Sequence, residues 1–270
     1  MKSFKLGVAA IATASALFGA TAANATLQNW YVDTDGAGAN AKVLVNDYLD
    51  LNGRAFVQNT FNSASTFTFK EVATFTTVLA DGSTLLSPSF SSSFIGQGSG
   101  TTGGLLNFSS GTLEVKSGAT TIGLFSLSLG TANLLTNSTL PNGTVSLIFE
   151  AQTLAAGYFF DSAMVDLSTV VNNPGGLLMG FATTNAIDLS KDKIVNGLPV
   201  NGGVNVDPAL VSFFNTTYGT SLGTVDANQS TNLLLSNNGQ FRLEVPEPGS
   251  VALLGLALAG LGFARRRKVM

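Results

Sequence analysis

Phe125-Ser126-Leu127-Ser128-Leu129 and, further along, Val145-Ser146-Leu147-Ile148-Phe149 decide how this chain is read. Apolar side chains fall at every second position, the period of a strand with one face buried and one face in water. Phe241, Leu243 and Val245 repeat the pattern near the other end, and Phe67 and Phe69 alternate with threonines. Ser, Thr, Arg and Glu fill most of the positions between. Turn chemistry separates these runs: Asn52-Gly53, Asp81-Gly82, Ser110-Gly111, Asn142-Gly143, Asn201-Gly202 and Asn238-Gly239. Such pairs supply the positive φ angles of tight hairpins. The expected fold is therefore all-β, an antiparallel β-sandwich-like single domain.

One helix is expected within it. Asp207 is a capping residue, Pro208 suits the first helical position, and Leu210, Val211 and Phe214 share a face. Gly96 to Gly104 reads as a glycine-rich loop inside the domain. Its Gly98-Ser99-Gly100-Thr101-Thr102-Gly103 matches a dinucleotide fingerprint in letters only. The residues after it, Leu105-Leu106-Asn107-Phe108, read as a strand where that motif requires a helix.

Both ends are set apart from the fold. Lys2 and Lys5 precede an apolar stretch from Leu6 to Ala20, which gives way to Ala23-Asn24-Ala25. A basic start, a short apolar core and a small-x-small site define a signal peptide over residues 1–25, cut by signal peptidase after Ala25. At the other end Val251–Ala264 carries no charge and runs straight into Arg265-Arg266-Arg267-Lys268. Fourteen helical residues reach about 21 Å, less than the ~30 Å hydrocarbon core. That makes a short membrane-held helix with its basic cluster on the cytoplasmic side. The domain between is assigned to residues 26–245, and the tail to 246–270.

Charge and composition narrow the function. The chain of 270 residues has a net charge of −3. Residues 26–245 hold fifteen acidic side chains against seven basic, a net of −8. With no basic patch, nucleic acid is not an expected partner. Cysteine and histidine are both absent. No disulfide braces the fold, and neither a Ser-His-Asp nor a Cys-His nucleophile can be assembled. A zinc site with the usual ligands is excluded as well.

Two candidate sites remain. Asp33-Thr34-Asp35-Gly36-Ala37-Gly38-Ala39-Asn40 places the oxygen-bearing side chains of Asp33, Asp35 and Asn40 on one loop, as a calcium site requires. The EF-hand register fails, because glycine comes early and Leu44 stands where the bidentate Glu belongs. A solvated turn accounts equally for these residues. Glycoside hydrolysis needs only two carboxylates. The glutamates of the domain are Glu71, Glu114, Glu150 and Glu244. Glu150 closes an alternating strand, and Asp161 follows the aromatic run Tyr158-Phe159-Phe160, with no pairing marked by the sequence. Strand-end carboxylates facing water and core aromatics are the plainer reading.

The tail Val245-Pro246-Glu247-Pro248-Gly249-Ser250, the apolar block and the Arg/Lys cluster resemble the PEP-CTERM sorting signal. That resemblance implies recognition at Pro246, Glu247 and Pro248 by a membrane-embedded exosortase, with Arg265, Arg266 and Arg267 forming the basic stop. It also implies a bacterial host that makes exopolysaccharide. Ala156-Gly157-Tyr158-Phe159-Phe160-Asp161, Asp166-Leu167-Ser168 and Gly180-Phe181-Ala182-Thr183-Thr184-Asn185-Ala186 are similar to flocculation-associated PEP-CTERM proteins of the PepA type. What this implies is a non-catalytic protein, exported across the inner membrane and briefly anchored. It then joins the cell surface or extracellular matrix and supports flocculation or biofilm formation with exopolysaccharide, self-association included. The alternatives are a secreted glycan-active enzyme and a calcium-dependent surface adhesin. No cofactor is expected unless calcium fills the Asp33 loop.

Overall fold

The alternating runs become long strands, and those strands close on themselves. The computed structural model describes residues 24–38, 42–101, 105–134, 142–171, 177–189, 193–195, 198–200, 204–227 and 231–246. Short elements come first: β1 (Asn24–Thr26), β2 (Trp30–Val32) and β3 (Val43–Val45). Six long strands follow as a meander: β4 (Leu49–Phe61), β5 (Thr66–Ala80), β6 (Thr84–Thr101), β7 (Leu105–Ser117), β8 (Thr120–Leu134) and β9 (Asn142–Leu154). Then come β10 (Phe159–Phe160), β11 (Leu178–Asp188), β12 (Lys193–Val195), β13 (Leu198–Val200), helix α1 (Pro208–Tyr218) and β14 (Asn232–Pro246). Thr26–Glu244 forms one compact unit.

Eight strands pair in the order β14-β11-β9-β8-β7-β6-β5-β4, and β14 pairs again with β4. Every one of these pairings is antiparallel. The result is a closed barrel, not the expected sandwich. Alternation marks a half-buried strand and is the same for both architectures; closure depends on one late strand finding two partners. Leu235, for example, sits opposite Asp188 on β11 and Ala55 on β4. Closure removes the free edges that a sandwich must protect.

Curvature explains the turn pairs that are not turns. Of the six, Asp81-Gly82 makes a hairpin turn, between β5 and β6, with φ of 51° and 70°. Asn52-Gly53, Ser110-Gly111 and Asn238-Gly239 lie inside strands, and Asn142-Gly143 opens β9. Asn201-Gly202 falls outside the described residues. The Gly96 stretch is likewise strand up to Thr101, with 102–104 outside the described residues. A Cβ on Gly98 would collide with the Asn107 carbonyl oxygen and the Phe69 ring. Glycine there lets neighbouring strands and aromatic rings close in on a tightly curved wall, which is how barrels bend.

Bulges adjust which side chains face inward. In β8 the register shifts between Leu127 and Leu129. The extra residue turns the strand over, so Phe125 is fully buried while Leu129 is 62% exposed. Val145, Leu147, Phe149, Phe67, Phe69, Phe241 and Leu243 are all buried, as the alternation requires.

The inside of the barrel is apolar and the outside is hydroxyl-rich: Thr68, Thr76, Ser91, Thr112, Thr131 and Ser146 are all exposed. Lipid-facing barrels have the reverse arrangement. Among the described residues no helix is long and apolar enough to cross a membrane, and the block 251–264 lies outside them.

Two pieces pack on this wall. Helix α1 begins as expected, with Asp207 Oδ1 accepting from the Ala209 amide at 2.9 Å, and stops at Gly219 with φ of 64°. Leu210, Val211 and Phe214 cover Phe56, Val72 and Leu234, one row of outward residues on β4, β5 and β14. The small sheet β10-β2-β3 closes the barrel end where β6 begins and β7 finishes. There Trp30 packs on Phe159 and Phe241, Phe159 meets Phe90, and the Ser117 hydroxyl donates to the Thr34 carbonyl at 2.6 Å.

Candidate functional site

The lumen is the first place to look, because small eight-stranded barrels hold either side chains or one small ligand. Its upper part is walled by aromatic rings that interlock. Phe69 meets Phe108 at 5.0 Å between centroids, Phe75 meets Phe181 at 5.5 Å, and Phe94 meets Phe149 at 5.8 Å. Two polar side chains share the cavity they leave, Glu71 and Asn237.

Strand alternation puts them there. Along β5 the inward positions are Phe67, Phe69, Glu71, Ala73 and Phe75, so a carboxyl sits in an otherwise apolar row. On β14, Leu233, Leu235 and Asn237 point inward in the same way. Glu71 is 8% exposed, and burial is what acts on its carboxyl. Burial pushes its pKa up to about 8, so it carries its proton at neutral pH. In the sequence Glu71 is one of four glutamates open to a carboxylate pair, and its place in the Phe67–Phe75 alternation marks it as inward-facing.

From outside, Tyr218 at the end of α1 reinforces this part of the wall. Its hydroxyl donates towards the Glu71 and Gly96 carbonyl oxygens, at 3.1 and 2.7 Å. Burial raises the phenol to about 12, and Lys70 lies 4.9 Å above the ring.

The loop proposed for calcium uses its carboxylates internally. Asp33 is 2% exposed; its Oδ1 accepts from the amides of Gly36 (3.0 Å) and Asp35 (3.3 Å), and its Oδ2 from Gly38 (3.1 Å). Asp35 Oδ1 accepts from Ala37 at 3.0 Å. Asn40 lies outside the described residues. These contacts make Asp33 the organiser of its own turn, and among the described residues no group of three or more acidic ligands could hold a metal.

Glu150 and Asp161 are carried by different elements, β9 and the turn after β10. Glu150 is exposed on the outer face of β9. Asp161 Oδ1 accepts from the amides of Ala163 and Val165, both at 2.8 Å, and so shapes the turn after β10. Of the aromatic run, Phe159 is core. The stretches around it are structural too: Asp166 accepts from the Gly157 amide at 2.7 Å and the Ser168 amide at 2.9 Å.

Of the sorting residues, Pro246 ends β14; Glu247, Pro248, Arg265, Arg266 and Arg267 fall outside the described residues. At the signal cleavage site Ala25 lies in β1, and Ala23 is outside.

Fold and site together define a closed antiparallel barrel with a hydroxyl-rich wall and a largely apolar lumen into which the Glu71 carboxyl points. The PEP-CTERM protein-sorting motif matches residues 244–268, from the last residues of β14 into the basic cluster. That motif implies an exported protein with a C-terminal anchor that an exosortase cuts during export. Comparison with curated proteins and with solved structures gives no match.

Proposed function

We propose that this is a non-catalytic protein of the cell surface or extracellular matrix, supporting flocculation or biofilm formation with exopolysaccharide. The sorting motif at residues 244–268 carries the reading, since it sends the barrel out of the cell and then releases it. The wall supports it. A surface dense in hydroxyls and net negative within residues 26–245 suits neutral glycans better than nucleic acid or anionic lipid. The polar groups surveyed support it as well: Asp33, Asp161 and Asp166 hold turns, and Glu71 stands without a second carboxylate among the residues lining its cavity. The stretches similar to the PepA type are the basis for naming flocculation as the role.

The cut is placed at Pro246-Glu247-Pro248, at the end of β14, so the strand that closes the barrel is kept whole. Two measurements test the reading. Deleting the gene is expected to leave cultures that no longer settle; unchanged settling overturns the flocculation role. Mass spectrometry of matrix-associated protein is expected to find chains ending near residue 247. Intact chains ending at Met270 in wild-type matrix overturn the processing scheme.

A further inference from the structure

Three buried polar groups bear on what the barrel holds. Among the described residues Trp30 Nε1 and Asn237 Oδ1 have no hydrogen-bond partner, and the third group is the buried Glu71 carboxyl. Trp30 does not line the lumenal cavity; Glu71 and Asn237 do. They sit at different levels of it. Glu71 lies in a row with Val57 and Leu233, whereas Asn237 lies in a row with Gly53 and Phe75, four residues along the strands.

The size of the cavity decides what fits. Water centres can occupy about 30 Å³ of it. One buried water needs about 10–15 Å³ by that measure, so the space takes two or three. An ordinary small-molecule ligand needs a pocket of about 300–1,000 Å³, an order of magnitude more. Chemistry agrees with size. An apolar cavity stays dry, but a cavity with buried polar groups and enough room holds water that completes their hydrogen bonds. The Asn237 carbonyl oxygen lacks a donor, and a carboxyl can both give and accept.

We propose that the lumen binds about two water molecules as permanent internal ligands, one anchored by Glu71 and one by Asn237. They complete the barrel's hydrogen bonding from inside, as the Tyr218 hydroxyl does from outside. This inference does not depend on the proposed function.

A high-resolution crystal structure of the mature chain, with and without pressurised xenon, tests it. Two ordered solvent peaks within hydrogen-bond distance of the Glu71 carboxyl and Asn237 Oδ1, with no xenon in the lumen, are expected. The double variant Glu71→Leu with Asn237→Leu is expected to lose both peaks and to admit xenon. A dry wild-type lumen that takes xenon overturns the proposal, as does solvent that persists unchanged in the double variant. Should the double variant not fold, Asn237→Leu alone is expected to lose its own peak and keep the one at Glu71. Loss of neither then overturns it.

Discussion

Asp81 and Glu71 lie ten residues apart in the β5–β6 hairpin, and their surroundings drive them in opposite directions. Asp81 sits at the hairpin tip and accepts four hydrogen bonds. Its Oδ2 takes the Asn46 amide at 2.6 Å and Asn46 Nδ2 at 3.0 Å, and its Oδ1 takes the Asp47 amide at 2.9 Å and the Tyr48 amide at 3.1 Å. Partial burial pushes this carboxyl up, but the amides of Asn46, Tyr48 and Asp47 outweigh it and hold the group below its usual range. Glu71, inside the barrel, receives no such donors, and burial alone decides its state. The difference teaches that a carboxyl in this protein stays charged where donors outweigh burial and turns neutral where burial acts unopposed. One pins a loop to a hairpin as an anion; the other lines the lumen as a neutral acid.

The largest expected effect comes from breaking that neutrality. The folded pKa of Glu71, about 8, lies above the ordinary carboxyl value of 4.5. The folded state therefore keeps a proton that the unfolded chain releases between those values. The associated stability is fully present below pH 4.5 and is lost as pH rises through 8, by about 5 kcal/mol across the window. Glu71→Gln stays neutral and is expected to flatten this dependence. Denaturant unfolding of both proteins at pH 5, 7 and 9 measures it. A wild type no less stable at pH 9 than Glu71→Gln would refute the neutral-acid reading.

Asp81 is expected to behave in the opposite sense. Its depressed pKa gives stability that is present above its unfolded value and lost as pH falls through the lower folded value. Asp81→Ala leaves three backbone amides without their acceptor, at a cost of about 1–3 kcal/mol near neutral pH. The gap between wild type and variant should close in acid; a gap that stays constant to pH 2 would show that the carboxylate is not what holds the Asn46–Tyr48 loop.

Smaller losses sharpen the comparison from the outer wall. Tyr218→Phe removes the hydroxyl that donates to the Glu71 and Gly96 carbonyls, and about 1 kcal/mol is expected. Asp207→Ala removes the cap of α1, again for about 1 kcal/mol. Thermal melting reads both, and a Tyr218→Phe protein as stable as wild type would show that water serves those carbonyls as well. The smallest effect concerns Asp33, whose oxygens already accept three loop amides. Melting curves with millimolar calcium and with chelator should coincide. A clear rise with calcium would restore the adhesin reading by mass action.

Much of the fold was legible in advance for a plain reason. Period-two alternation is a local property of side-chain direction, so it picks out strands before any partner is known. The cap at Asp207, the helix after it and the alternation of Phe67 and Phe69 are local in the same sense. Glycine-bearing pairs misled where they stood inside strands, because a curved wall and a tight turn both favour a residue without a Cβ. The reading of Leu129 failed at a single bulge, whose place depends on the neighbouring strand.

By itself, then, the sequence determined strand content, the helix, the absence of histidine and cysteine chemistry, and the sorting tail, since each lies in contiguous residues or in composition. Only the tertiary structure decided that β14 pairs with both β11 and β4, turning a presumed sandwich into a barrel. It alone converted Asp33, a candidate metal ligand, and Asp161, a candidate catalytic carboxylate, into anchors of turns, because their partners are backbone amides that carry no sequence signature. It also placed Glu71 and Asn237, 166 positions apart in the chain, along one enclosed lumen. Closure is a long-range event: a strand contributes to it only after every strand between has taken its register, and no local pattern records which partner waits at the end.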